Sequence, residues 1–266
     1  MSDDDFERTV RYWRELQERL STSRHDFPWG TAYLDAEFPL MYDANHLWIE
    51  DPAPAATTDD LATEADRILG GAGLAHRKVM VAREDDGAPW SMGFGERGYR
   101  ISRLLTMAVG PDPGEEVDTS AVEVVDFDDA RAAIETANAR EPYATSAEVV
   151  RQLTDYHGKL ERELDCRFYV VRVDGEVAAF CELYGLGSIA QVEDVNTLEE
   201  HRGRGFAKAV VSAAVRDARS DGAELIFLYA DAHDWPQHLY GKLGFRPLGY
   251  SLEFILEAMP GIDATA

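Results

Sequence analysis

A short segment rich in glycine and arginine is the most chemically informative part of this 266-residue sequence. It runs from Arg202 to Ala207, with the letters RGRGFA, and follows a strand-like stretch that ends near Thr197. Glycines at a helix start allow backbone N–H groups to surround an anion, and the helix dipole favours negative charge there. Arginine guanidinium groups add donors that suit phosphate oxygens. The segment therefore predicts a cradle for the diphosphate of a ligand.

Two widespread phosphate-binding loops do not fit these letters. A Walker loop needs Gly-x4-Gly-Lys-Ser/Thr, which the sequence lacks. A dinucleotide-binding fingerprint needs a third glycine three residues after Gly205, where Lys208 stands. The plain structural alternative is a helix start that contains Gly-Arg-Gly by coincidence.

A second motif lies about 35 residues further along the chain, Leu239-Tyr240-Gly241-Lys242-Leu243-Gly244-Phe245. With the glycine loop, it resembles the GNAT superfamily of acyl-CoA-dependent N-acyltransferases. The hallmark of that family is Arg/Gln-x-x-Gly-x-Gly/Ala after the fourth strand, and a helix with Leu-Tyr followed by Gly-Phe comes later. The resemblance covers about 140 residues, from Ala121 to Met259. It implies an α/β (α+β) fold with a mixed, mostly antiparallel sheet flanked by helices.

The resemblance also implies how acetyl-CoA, the cosubstrate, is held. In the family, the loop amides and the helix start hold the coenzyme A pyrophosphate. The strand end near Thr197 splays from its neighbour and lends backbone N–H groups to the pantetheine arm and the thioester carbonyl. The coenzyme-binding residues implied in this way are Val195, Asn196, Thr197, Arg202, Gly203, Arg204, Gly205, Phe206, Ala207 and His233.

Three positions depart from the family pattern. The family often has Val where Thr197 stands and Pro where Glu199 stands. A backbone donor does not depend on its side chain, so the first change threatens little. The family favours Asn at the position of His233, seven residues before Tyr240, and this change weakens any side-chain contact to the pantetheine arm.

Direct transfer to an amine requires a group that removes a proton from the amine. An alkyl amine with a pKa near 10 is only about 0.1% neutral at pH 7, an offset of roughly 4 kcal/mol. Glu193 is the predicted base, because it lies four residues before Thr197 and strand alternation places both on one face. Asp194 is expected on the opposite face, and Glu182 on the preceding strand is the reserve candidate. A water relay is an alternative, and so is a Glu193 that is only a solvated or salt-bridged strand residue.

Tyr240 is the general acid that the resemblance implies, because its hydroxyl can protonate the departing coenzyme A sulfur. A phenol with a pKa near 10 stays protonated at neutral pH and can supply that proton. The alternative is an amphipathic tyrosine of the core. Cys166 and Cys181 lie in apolar strand-like runs, with no sequence cue for an activated nucleophile.

Composition and charge restrict the possible partners. With 26 basic and 50 acidic residues, the formal net charge is −24, which repels nucleic acid and attracts cations. No apolar run approaches the roughly 18–20 residues that span a bilayer, and the first residues are acidic rather than signal-like, so we expect a cytoplasmic protein. The sequence contains no His-Glu-x-x-His or Cys-x-x-Cys pattern, so we expect no metal site.

The elements that must position these residues form two groups, divided near the break at 110–116. For residues 116–266 we predict a catalytic GNAT domain with the order β-α-α-β-β-β-α-β-α-β-β, including a hairpin that turns at Asp174-Gly175. For residues 1–115 we predict a smaller α/β domain, either a degenerate GNAT-like unit or an accessory module. Its predicted elements are a helix over 5–20, strands over 46–50, 78–82 and 99–109, and a helix over 58–69 that Thr58 caps after a proline-rich segment at 51–56.

The sequence thus predicts an N-acetyltransferase that acts on a primary amine of a small cationic molecule or of a protein. A catalytically inactive acyl-CoA sensor or scaffold is the alternative, and a dehydrogenase is a distant third. Oligomeric state stays open between monomer and homodimer, and the acceptor itself is not specified. Four aromatic residues of the amino-terminal part belong either to its core or to a binding face, namely Trp29, Tyr33, Phe38 and Tyr42.

Overall fold

The structure, a computed structural model, describes residues 2–50, 55–111 and 114–257. The chain forms two compact units. The first comprises the described residues of 1–106, 231–234 and 248–266, and the second comprises those of 107–230 and 235–247. Parts of the predicted proline-rich segment (51–54) and of the predicted break (112–113), and the end of the resemblance at Met259, lie outside the described residues.

The first unit begins with an amphipathic helix and continues as a sheet with short helices. Strands β1, β2 and β3 are antiparallel neighbours, whereas β3 and β4 are parallel. Its elements in chain order are α1 (Ser2–Leu20), β1 (Ser23–Phe27), β2 (Gly30–Leu34), β3 (His46–Ile49), α2 (Thr58–Ala65) with a π-helical continuation (Asp66–Gly70), β4 (Arg77–Val81), α3 (Glu84–Gly87), α4 (Ser91–Glu96) and β5 (Arg100–Val109), whose last three residues belong to the second unit.

The predicted helices and strands of the amino-terminal part are confirmed, with two corrections. The hairpin of β1 and β2 replaces an expected loop, because most residues of β1 are exposed and give no apolar alternation. The cap of α2 is Thr57 rather than Thr58, and it forms a capping box with Asp60. Tyr33 and Phe38 belong to the buried core rather than to a binding face.

The second unit carries the predicted catalytic elements. Its strands follow the order β10-β9-β8-β7-β6, and the pairs within it are antiparallel except for the parallel pair of β9 and β10. The elements are β6 (Val122–Val125), α5 (Phe127–Asn138), α6 (Ala147–Leu164), β7 (Arg167–Val173), β8 (Glu176–Leu186), β9 (Ile189–Thr197), α7 (Phe206–Ser220), β10 (Leu225–Asp231) and α8 (Pro236–Lys242). They are followed by β11 (Phe245–Leu256), of which residues 245–247 belong to this unit and the rest to the first.

The mixed, mostly antiparallel sheet flanked by helices is therefore confirmed. Asp174 and Gly175 both have positive φ, 53° and 90°, as the predicted two-residue hairpin turn requires. The expected final pair of strands is a single long strand, β11. Residues 252–256 of β11 pair with β4, which is why the end of the chain joins the first unit and the division differs from the predicted one at residue 115.

A buried ion cluster stabilises the sheet of the first unit. Lys78 on β4 is only 2% exposed, and its Nζ lies 2.7 Å from Oε1 of Glu253 and within hydrogen-bond distance of Asp43. Burial alone lowers the pKa of Lys78, but the Asp43 and Glu253 carboxylates outweigh this and raise it above its ordinary value. Lys78 therefore remains an ammonium ion inside the unit.

Candidate functional site

Strands β9 and β10 diverge at one end of their parallel pair. They are in register from Ile189 with Leu225 to Gln191 with Phe227. Beyond this point, β9 continues through residues 192–197, whose pairs among the described residues are with β8 alone. Backbone N–H groups on the β10 side of β9 are therefore open to a ligand, as the resemblance implies for the strand end at Thr197.

The glycine loop follows this opening and ends at the start of α7. Gly203 and Gly205 have positive φ, 77° and 84°, and Gly205 occupies the N-cap position of α7. Among the described residues, no side chain caps this helix, and no acidic residue lies in its first turn. The first N–H groups of a helix have no partner within the helix, so this end of α7 can accept an anion.

Both arginines of the loop are exposed, and each contacts a neighbouring residue. Arg202 donates its Nε–H to the carbonyl of Thr197 at 3.2 Å. Arg204 lies over the Phe206 ring, with its guanidinium carbon 4.6 Å from the ring centroid. Both guanidinium groups remain accessible to solvent and can reach a phosphate at the loop.

The pairing of β9 with β8 contains a bulge next to the predicted base. Glu193 pairs with Glu182, and Asn196 pairs with Phe180, so β9 has one residue more than β8 between the two pairs. Within this irregularity Asp194 has a left-handed backbone, with φ 46°. A bulge of this kind redirects a side chain relative to simple strand alternation.

Two predictions about the faces of β9 are wrong because of the bulge. The alternation predicts Glu193 and Thr197 on one face, but the extra residue places Asn196 on the face of Glu193 instead. It also predicts Asp194 on the opposite face. The Asp194 carboxylate instead approaches His157, with its Oδ2 3.8 Å from Nε2 of the imidazole.

His157 on α6 joins these carboxylates in one cluster. Its Nδ1 is hydrogen-bonded to Oε1 of Glu182, which is fully buried and whose Oε2 has no partner among the described residues. Burial by itself lowers the pKa of His157, but the charges of Glu182, Asp194 and Glu193 raise it to about 9. The imidazole is therefore a cation at neutral pH.

The predicted base lies in the same cluster and titrates near neutrality. Burial, with the neighbouring Asp194 and Glu182 carboxylates, raises the pKa of Glu193 to about 7, although a hydrogen bond from Gln191 opposes the shift. Burial also raises the pKa of Asp194 to about 6, against the opposing effect of His157. Glu193 can thus accept a proton near physiological pH.

Tyr240, the predicted acid, is a buried residue of α8 in the same unit. Burial raises the pKa of its hydroxyl above the ordinary value, and the nearby Glu193 carboxylate raises it further. The electrostatic influence of Glu193 on Tyr240 indicates that base and acid share one environment. A tyrosine with a raised pKa remains protonated and available as a donor.

Comparison with known proteins identifies a family domain within the second half of the chain. The model of the acetyltransferase (GNAT) family matches residues 131–245, a range that contains the glycine loop, Glu193 and Tyr240. These residues form a GNAT domain. A comparison with curated proteins found no match.

Solved structures resemble the whole chain in fold. A GCN5-related N-acetyltransferase from Kribbella flavida aligns with a TM-score of 0.61 at 20% identity, over 96% of this chain and 95% of that chain. A functionally unknown conserved protein from Staphylococcus epidermidis gives a TM-score of 0.69 at 13% identity, over 90% and 96%. A tandem GNAT protein from the clavulanic acid biosynthesis pathway gives a TM-score of 0.54 at 14% identity, over 88% and 80%. The GNAT fold of the chain is confirmed.

Three other predicted residues lie outside the cluster formed by His157, Glu182, Glu193 and Asp194. His233 is exposed, belongs to the first unit, and donates its backbone N–H to Asp231 at 2.7 Å. Cys166 and Cys181 are buried, and burial raises the pKa of both thiols, so neither resembles an activated nucleophile. Within the described residues, no helix is both long enough and apolar enough to span a bilayer.

His157 is the residue of the GNAT domain that sequence analysis missed. Its signal is present in the helix pattern, because it lies four residues after Leu153 and three before Leu160, on the apolar stripe of α6. A titratable residue at such a position is buried at a cost unless it has a partner. One ligand atom each from His157, Glu182 and Asp194 lie within 4.8 Å of one another, although a metal ion there would have to displace the proton between His157 and Glu182.

Proposed function

We propose that the protein transfers an acetyl group from acetyl-CoA to a primary amine of a small cationic molecule or of a protein. The observation that carries this proposal is that the anion cradle and the candidate base lie on consecutive elements of one unit. The uncapped start of α7, the open edge of β9 and the titratable Glu193 all follow from consecutive elements, β9 and α7. A thioester carrier with a diphosphate fits this order of sites.

Acetyl-CoA would bind along the open edge of β9 and across the glycine loop. The diphosphate would accept hydrogen bonds from the first N–H groups of α7 and from the guanidinium groups of Arg202 and Arg204. The backbone near Thr197 would contact the pantetheine arm and polarise the thioester carbonyl. The proposed coenzyme-contacting segments are residues 195–197 and 202–207, whereas the exposed His233 gives no support to a side-chain contact.

The reaction would proceed by direct attack. The acceptor ammonium loses a proton to Glu193, directly or through water, and the amine nitrogen forms a bond to the thioester carbon. When the tetrahedral intermediate collapses, the C–S bond breaks and the sulfur takes the proton of the Tyr240 hydroxyl. The second proton of the former ammonium leaves the nitrogen and restores that hydroxyl, and Glu193 releases its own proton to solvent. The products are an amide and free coenzyme A. The acidic surroundings of Glu193 and the net charge of −24 favour a cationic acceptor.

Release of free thiol from acetyl-CoA against a panel of primary amines tests this function. We expect turnover with at least one cationic amine, and a decrease of about 10-fold or more for Tyr240→Phe because the thiolate then leaves without a proton donor. Tyr169→Phe is the matched control, because Tyr169 is a buried tyrosine of the same unit whose hydroxyl donates to Asp217 at 3.2 Å. Binding of acetyl-CoA by calorimetry without turnover for any amine would favour the sensor alternative.

Two glycines of α7 allow a matched test of the cradle. Gly205 and Gly222 flank the two ends of the helix, have φ of 84° and 89°, and at each the space that a Cβ would occupy has no neighbouring atom within 4 Å. Gly205→Ala and Gly222→Ala should therefore destabilise the fold alike, by about 1–2 kcal/mol for a left-handed alanine. Calorimetry should show the Kd for acetyl-CoA raised about 10-fold or more for Gly205→Ala alone, because its methyl group occupies the anion cradle. Equal affinities for the two variants would contradict the proposed cradle.

We also propose that the first unit is a GNAT-like unit without a coenzyme site. Its order β1-β2-β3-α2-β4, with two antiparallel pairs and then a parallel one, repeats the order β7-β8-β9-α7-β10 of the second unit. The start of α2 differs from that of α7, because a capping box satisfies the N–H groups of Thr57 and Asp60, and because Asp59 and Asp60 place acidic charge there. Such a helix start disfavours a phosphate.

A further inference from the structure

The buried pair of His157 and Glu182 has no part in the proton transfers proposed above. Glu182 is fully buried, and the side chain of His157 is 12% exposed. His157 lies on α6 and Glu182 on β8 of the second unit. Burial of an ion pair costs free energy unless its geometry and hydrogen-bond partners are good, so the pair is expected to have a function. The surroundings of the pair indicate what it does.

The imidazole is held from two sides by carboxylates. Its Nδ1 contacts Glu182 on β8, and its Nε2 lies 3.8 Å from Oδ2 of Asp194 on β9. Each ring nitrogen of an imidazolium carries a hydrogen, so both contacts are favourable only when the ring is protonated. A neutral ring would leave one nitrogen lone pair directed at a carboxylate.

Four carboxylates interact electrostatically with one another around His157, which supplies a positive charge among them. Glu182 pairs with Glu193 across the two strands, Asp194 follows Glu193 in the bulge, and Glu141 in the connection between α5 and α6 raises the pKa of Asp194. Tyr240 on α8, Cys181 on β8 and Cys166 just before β7 also interact electrostatically with carboxylates of the cluster, and burial raises the pKa of all three, so they are neutral at physiological pH. Without a cation, adjacent carboxylates cannot all be ionised.

We propose that His157 is a positioning residue that, as an imidazolium clamped by Glu182 and Asp194, allows Glu193 to be ionised as the base of the transfer. The proposal rests on the proposed function. The imidazolium offsets the charge of Glu182, which faces Glu193 directly, and it holds Asp194 in the left-handed bulge. Both effects act on Glu193 through its neighbours, so His157 itself touches neither substrate nor coenzyme in this scheme.

The pH dependence of kcat/KM separates this role from a structural one. Glu193 acts as a carboxylate, so activity rises as pH increases through its pKa, which is about 7. His157→Gln retains a hydrogen-bond donor toward Glu182 but removes the positive charge. Because loss of the positive charge raises the pKa of Glu193, we expect the rising limb to shift to higher pH by about one unit or more. Activity at pH 6.5 should then decrease about 10-fold, while activity at pH 9 should change little.

Two companion variants complete the series. His157→Lys restores a cation and should return the limb toward its wild-type position. Arg151→Gln removes a cation from the exposed side of the same helix, where Arg151 pairs with Glu148 and Asp155, and should leave the limb unchanged. An unmoved limb in His157→Gln, with wild-type turnover at low pH, would overturn the proposal.

The charge state of His157 can be measured without any turnover. In a titration of the imidazole followed by 15N NMR, with His157→Gln used for assignment, we expect the protonated signature of His157 to persist to about pH 8, well above the usual transition near 6.5. A neutral ring at pH 7 would overturn the proposal, and so would activity lost to a chelator and restored by Zn²⁺. Absence of acetyl transfer to every amine would instead refute the proposed function, while the titration would still report the charge of the ring.

Discussion

Replacement of Glu193 by Gln should lower kcat/KM for the acceptor amine by about 10²–10⁴ at pH 7.5, with the Kd for acetyl-CoA unchanged. The substitution keeps the size and hydrogen-bonding capacity of the side chain but removes its ability to accept a proton. Since an alkyl amine is almost entirely protonated at this pH, the variant must depend on the small neutral fraction. Thiol release measured against amine concentration gives kcat/KM, and calorimetry gives the affinity for acetyl-CoA.

The pH profile of this variant is as informative as its rate. In the wild type, the rate should rise through a pKa of about 7, because the ionised Glu193 is the active form. In Glu193→Gln that limb should be absent, and the rate should increase about 10-fold per pH unit up to the pKa of the amine itself. Activity of the variant should therefore approach that of the wild type only at high pH.

Glu123→Gln serves as the control, because Glu123 lies on the exposed strand β6 of the same unit and pairs with Arg172 in an exposed ion pair. It should retain full activity at every pH. If Glu193→Gln kept the wild-type rate and profile, the base would have to be another group. Glu182 would then be a poor substitute, since it is fully buried and occupied by His157.

Local patterns predict most of the elements around this site, because each is encoded within a few consecutive residues. Strand β9 is predicted from Ile189 to Thr197, since turn residues precede it and the glycine loop follows it. Ser146 marks the start of α6, where its hydroxyl accepts the N–H of Val149 at 3.2 Å. Hairpin β1–β2 escapes prediction because its exposed first strand has no such pattern.

The bulge in β9 could not be predicted from its own letters. It depends on the register with β8, in which Glu193 meets Glu182 while Asn196 meets Phe180. The meeting of His157 and Glu182, 25 residues apart in the chain, likewise depends on how α6 packs over the sheet. The sequence therefore offers Glu193 as the candidate base, but it does not predict how Glu182, Asp194 and His157 are arranged around it.

The largest expected effect on stability concerns the first unit. Lys78→Met should reduce the free energy of unfolding by about 3–5 kcal/mol, because removal of one partner from a buried ion cluster leaves an uncompensated charge. Of the two carboxylates that lose their partner, the buried one is Glu253, whose side chain is only 9% exposed and whose pKa burial already raises, whereas the side chain of Asp43 is 54% exposed. Urea unfolding followed by tryptophan fluorescence reports on this unit, since Trp13, Trp29, Trp48 and Trp90 all belong to it.

An exposed pair in the same unit provides the comparison. Arg100 and Glu257 are 55% and 57% exposed, with 3.4 Å between Nε and Oε1, so Arg100→Met should cost only about 0–1 kcal/mol. Adding Glu253→Leu to Lys78→Met should recover much of the loss, because the double variant no longer buries an unpaired carboxylate. If Lys78→Met were no more destabilising than Arg100→Met, burial would not be the source of the effect. The contrast between the two pairs therefore measures what burial adds to an ion pair in this unit.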